Sequence, residues 1–218
     1  MTAPATERTL TLRRRIRWIV AATIAYNVVE ATIALAAGTV ASSAALIGFG
    51  LDSIVEVLSA AAVAWQFSSP DPEAREKVAL RLIAVSFFGL AAFVSVDALL
   101  ALGGFRDPAP STVGIVLAVI SIVVMPALSW AERRTGRELG SASAVADSKQ
   151  TLICAYLSVA LLAGLVLNGV LGWAWADSIA ALVIAGFAIR EGLEAWRGDA
   201  CAAPIAELTG ERPPHGHH

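Results

Sequence analysis

An all-α fold of six transmembrane helices, with both termini in the cytoplasm, follows from three features of this sequence. The first is composition: 57% of the 218 residues are hydrophobic and only 16% are charged, where a soluble domain carries about a quarter charged residues. The second is the clustering of the charges. Between Trp18 and Ser69 the only charged residues are Glu30, Asp52 and Glu56, and there are none from Pro108 to Ala131 or from Gln150 to Ala176. Apolar runs of about 20 residues match a bilayer core roughly 30 Å thick. The third is the side on which the basic residues fall: fifteen of the 16 Lys and Arg lie in one set of alternating loops and ends, and only Arg106 lies in the other. Positive residues stay on the cytoplasmic side, so the number of spans is even and both ends are inside.

The elements follow in order. Helix 1 is expected over about 16–37, after the basic run Arg13-Arg14-Arg15 with Arg17, and helix 2 over about 43–66, joined by Gly38-Thr39-Val40. The apolar stretch after the basic start contains Asn27 and Glu30 and lacks a small-residue cleavage site, so it reads as an uncleaved span rather than a signal peptide. The polar segment Ser68–Pro72 precedes helix 3 at about 78–102. Gly103-Gly104 with Pro108 and Pro110 separates it from helix 4 at about 112–131. Helix 5 is expected at about 146–168, with a tight turn at Asn168-Gly169, and helix 6 at about 174–195. Three segments result: a basic cytoplasmic segment 1–15, a membrane domain 16–196, and a polar, disordered tail 197–218 with His215, His217 and His218. The six tryptophans suit interface anchoring, with Trp18, Trp65, Trp130 and Trp196 inside and Trp173 and Trp175 outside.

The polar residues inside the spans carry the functional information. Asp52 and Glu56 on helix 2 are four apart and share one face, roughly 12–20 Å from the outer end. One carboxylate at that depth costs at least about 3 kcal/mol, and no Lys or Arg is expected at the same level. A transported cation, or protons in its absence, is the simplest partner. Helix 1 adds Tyr26, Asn27 and Glu30 on one face, and helix 5 adds Asp147, Gln150 and Cys154. Carboxylates, an amide and one thiolate suit a borderline divalent metal, zinc first, better than Mg²⁺ or Ca²⁺. Bonding between neighbouring helices is the competing explanation for each of these groups taken singly. Asp97 and Asp177 fall near the outer surface and read as interfacial or capping residues. Cys154 and Cys201 lie in a span and in the tail, so they do not form a disulfide.

The sequence resembles the cation diffusion facilitator family, proton-coupled exporters of divalent metals, over about residues 14–196. The likeness is carried by the topology, by Leu51-Asp52-Ser53-Ile54-Val55-Glu56, by Ala146-Asp147-Ser148-Lys149-Gln150, and by Trp175-Ala176-Asp177-Ser178-Ile179-Ala180. It implies four mid-membrane ligands, two on helix 2 and two on helix 5. By position these are Asp52 and Glu56, then Gln150 and Cys154. The family's helix 5 pair is His or Asp followed by Asp, whereas here it is Gln followed by Cys. Gln is a weak neutral ligand, so Glu30 and Asp147 are candidates to complete the site. The family also carries a metal-binding domain after helix 6, where this chain has only its short tail. A homodimer would then be held by membrane helices, helices 3 and 6 foremost.

The implied function is divalent cation efflux coupled to protons, with the metal as substrate and no permanent cofactor. The alternative is a non-transporting metal sensor or accessory membrane protein. An intramembrane protease is disfavoured, because Gly48-Phe49-Gly50-Leu51-Asp52 has the wrong spacing and no second aspartate motif accompanies it; no enzyme is expected. No basic domain remains to bind nucleic acid. The partners are the lipid bilayer, metal cations and protons. An Ala-rich chain with few lysines fits a bacterial inner membrane.

Overall fold

A computed structural model describes residues 3–67, 72–139 and 142–197; within them the side chains of 3–10, 13, 63, 64, 66, 67, 72–74, 76, 139, 142–147, 149 and 150 fall outside the description. The described chain forms six helices: α1 (Ala3–Ala41), α2 (Ala44–Phe67), α3 (Pro72–Leu102), α4 (Thr112–Leu139), α5 (Ala142–Leu171) and α6 (Ala174–Arg197). In lipid, backbone N–H and C=O groups must find partners within the segment, which leaves a helix as the open-chain solution. By length and composition α1 to α5 can each cross a membrane. The exception is α6, which carries Asp177 near its start and Arg190, Glu191 and Glu194 near its end.

The bundle is built around α2. Of its apolar stretch 61% is buried, against 28% for α1, and it touches α1, α3, α5 and α6. The most extensive pairings are α4 with α5 and α3 with α6. The core holds Leu46, Phe49, Val94, Leu161, Leu165 and Ile184, all buried. Small residues let the backbones approach, as membrane helices require in the absence of a hydrophobic drive between them. A Cβ on Gly164 would lie 2.7 Å from the Ala180 Cβ and 3.1 Å from the Ala176 carbonyl oxygen. Outward-facing Val28, Val85, Val96, Val123 and Val159 are exposed, as a lipid-facing surface demands.

The helices outrun the expected spans at several ends. Hydropathy marks only the membrane-crossing part, while the flanking Thr-, Arg- and Glu-containing stretches of α1 and α4 are themselves helix-compatible and simply continue. The α1–α2 link also differs. Gly38-Thr39-Val40 is helical, and the chain turns at Ser42, whose φ is +51°. Gly38 is instead a contact point, where a Cβ would sit 2.8 Å from Ile47 Cγ1. Likewise Asn168-Gly169 lies inside α5; the turn falls at Gly172, with φ +67°. Asn168 is buried and donates from Nδ2 to the Pro108 carbonyl at 2.9 Å.

Two poles can be distinguished. The basic pole, where α2, α4 and α6 end, carries three arginine–tryptophan stacks: Arg75 over Trp65 at 4.7 Å, Arg81 over Trp196 at 3.6 Å and Arg134 over Trp130 at 5.4 Å. At the opposite pole Trp173 stacks on Trp175 with centroids 5.3 Å apart. There Asp177 accepts from the Ser43 hydroxyl at 2.5 Å and from the Ala45 N–H at 3.3 Å. An α6 side chain thus caps the start of α2. Asp97 pairs with Arg106 at 2.9 Å, so the two aspartates of this pole act as a helix cap and an ion-pair partner.

The close α5–α6 approach gives a stability prediction. Gly164→Val should lower the melting temperature of the purified protein in detergent, at a cost of about 1–3 kcal/mol from overpacking. Gly186→Ala, with nothing within 4 Å of its added methyl, should melt no lower than the unaltered chain.

Candidate functional site

The antiparallel packing of α1 on α2 sets the level of the first buried polar groups. Asn27 donates from Nδ2 to Glu56 Oε2 at 2.6 Å, and one turn further along, Ser53 donates to Glu30 Oε2 at 2.9 Å. Glu30 is 1% exposed. Its other oxygen accepts from the Ser121 hydroxyl of α4, which also bonds the Tyr26 hydroxyl at 2.7 Å. Cys154 Sγ lies 4.0 Å from Glu30 Oε2, the outer limit for a weak thiol donor. Glu30 is therefore held by hydroxyls from two helices, with the buried Cys154 of α5 beside it.

Asp52 is placed differently. It is 5% exposed and lines a narrow cavity whose other polar residues are Glu56, Cys154 and Glu191, with Phe87 and Phe187 among its apolar walls. The cavity has room on the order of one water molecule. Among the described residues no hydrogen-bond donor reaches the Asp52 carboxylate. That is an unusual state for a buried acid, and it leaves a cation, a proton or water as its partner. Among the described residues no three His, Cys, Asp or Glu side chains converge as a ready metal cage.

The expected residues divide accordingly. Asp52, Glu56 and Cys154 share the cavity, while Glu30 is not part of its lining. The Asp147 and Gln150 side chains lie outside the described residues, as do Cys201 and the three histidines of the tail. Glu191 was not anticipated. Its sequence signal is spacing: it continues the buried α6 stripe Ala181, Ile184, Ala188 at intervals of three and four residues.

A fully buried carboxylate, Glu132, was also missed. Its position falls just beyond the expected end of helix 4. It accepts from Thr23 Oγ1 of α1 at 2.8 Å and from Thr151 Oγ1 of α5 at 3.1 Å. Thr151 precedes Cys154 by one turn, so this contact helps fix the rotation that points Cys154 inward. Along α1, Thr23, Asn27 and Glu30 recur at helical spacing, and each is buried against another helix.

A family model, the cation efflux transmembrane domain, matches residues 20–197, most of the chain and all six helices in part or whole. The chain belongs to the cation efflux family. It is thus a multi-pass membrane protein and a metal cation transporter, from a family of transporters rather than enzymes. No individual curated protein matches it.

The hydroxyl support of Glu30 in this cation efflux protein is open to test. Ser121→Ala leaves a buried Glu30 oxygen without its donor, which costs about 1–3 kcal/mol. It should lower the melting temperature in detergent. Ser86→Ala, whose exposed hydroxyl bonds only its own helix at Leu82, should leave it unchanged.

Proposed function

We propose that this protein exports divalent cations, zinc first among them, in exchange for protons, through the cavity formed by Asp52, Glu56 and Cys154. The observation that carries the proposal is Asp52: a carboxylate 5% exposed, facing a cavity, with no donor among the described residues. Two acids one turn apart in a low-dielectric interior are not both charged unless something positive sits between them. A metal ion supplies that charge when bound, and protons supply it when the metal has gone. The thiol favours a borderline or soft ion over Mg²⁺ or Ca²⁺.

In this reading the basic pole faces the cytoplasm, in keeping with the arginines gathered there, and the membrane is a bacterial inner membrane. Gln150 is the fourth donor by its place one turn before Cys154, with Asp147 nearer the entrance. Glu30 serves behind Cys154 rather than in the cavity. Residues 16–196 act as the transport domain, flanked by a basic start at 1–15 and a short tail at 197–218. A homodimer held by membrane helices, with α3 and α6 foremost, belongs to the same proposal.

The test is flux in proteoliposomes containing a pH-sensitive dye. Metal added outside should enter as protons leave, so the luminal pH rises in step with uptake. Removing one charged ligand from a buried set costs about 3 kcal/mol, or roughly a hundredfold in affinity, so Asp52→Asn should abolish both signals at sub-saturating metal. Normal coupled flux by Asp52→Asn would remove the central role of this residue. Metal binding without flux in the unaltered protein would instead indicate a sensor or accessory subunit.

A further inference from the structure

We propose that Glu191 of α6 is an additional ligand of the transported cation, meeting it at the level of Glu56 before Asp52 receives it. The inference rests on the reading of the cavity as the transport site and extends that site to a third helix.

Four observations support it. Glu191 lines the same cavity as Asp52, Glu56 and Cys154. Its Oε1 is buried and has no hydrogen-bond partner among the described residues, so an acceptor stands unused at the cavity wall. Its chain neighbour Arg190 is engaged with Glu194 at 3.0 Å and so has another acid as its partner. The last observation is register. α2 and α6 run in parallel, with offsets of 134 residues at the Ser43–Asp177 bond and 136 at the Gly48–Ile184 approach. The offset between Glu56 and Glu191 is 135 residues. Glu191 thus stands beside Glu56, one turn nearer the basic pole than Asp52.

The chemistry gives this position a use. A divalent ion leaving water needs charged oxygens at each stage, and a single carboxylate compensates only part of its lost hydration. Glu56 and Glu191 on facing helices offer two carboxylates at the inner level, and Asp52 with the Cys154 sulfur offers the next pair outward. Gln150 on α5 adds at most a neutral oxygen. A carboxylate from α6 supplies a charged oxygen where Gln150 has only a neutral one.

The experiment uses the full chain in lipid nanodiscs, with Cys201→Ser so that Cys154 is the sole thiol. Cd²⁺ is titrated, and binding is read from the thiolate-to-cadmium charge-transfer absorbance. Glu191→Gln should shift the midpoint to roughly tenfold higher Cd²⁺ or more, with the band unchanged in position. Glu191→Asp should recover most of the affinity, a rescue that a purely packing role would not produce. Asp52→Asn should shift the midpoint further, by roughly a hundredfold. If Glu191→Gln titrates like the unaltered protein while Asp52→Asn does not, Glu191 is no ligand and the cavity reading survives. Absence of the band in the unaltered protein overturns both.

Discussion

Carboxylates inside an apolar bundle with no described basic side chain among them are the constraint on which the arrangement depends. Glu30, Asp52 and Glu132 are each at least nine-tenths buried, and an uncompensated charge in such a setting costs several kcal/mol. Two of the three are answered by hydroxyls drawn from other helices: Glu30 by Ser53 and Ser121, Glu132 by Thr23 and Thr151. These bonds tie α1 to α2 and α4, and α4 to α5, and set their rotation. Asp52 receives no such support. Of the three it alone lines the cavity, and that difference is why the proposed transport role falls to Asp52.

The same bonds position the cavity. The Asn27–Glu56 bond anchors one wall through α1, and the Glu132–Thr151 bond fixes the α5 face that carries Cys154. On the α6 side, the Ser43–Asp177 contact sets the register of α2 against α6, and the Ala-rich buried stripe of α6 keeps the two helices close. A hydrogen bond near one pole therefore helps set which α6 residues share the cavity with Asp52 and Glu56 several turns away. Asp177 thus bears on the α2–α6 register without lining the cavity itself.

Much of this was legible in the sequence, because lipid imposes a simple code. Length and hydropathy, together with the side on which the basic residues fall, give six helices, and Asp52 with Glu56 stands out because charges are so rare in the spans. The serine and threonine partners were not legible. A hydroxyl is common on any face of a membrane helix, and only tertiary packing shows that Ser121 and Thr23 meet buried acids. Glu132 escaped because it follows the end of the apolar run, where an acid is ordinary, and Glu191 because Arg190 and Glu194 beside it resemble a solvated helix end. In both cases the helix continued inward-facing past the point where hydropathy falls. The misplaced turns at Gly38 and Asn168 have a similar origin: Gly and Asn also serve close packing and side-chain bonding inside helices.

The most direct measurement is X-ray absorption at the zinc edge, on the Cys201→Ser protein loaded with one equivalent of Zn²⁺. The account predicts one sulfur at about 2.3 Å with the remaining neighbours oxygen at about 2.0–2.2 Å. The sulfur should vanish on further substitution of Cys154→Ser. A shell of oxygen and nitrogen alone in the Cys154-containing protein would place the metal elsewhere and contradict the account.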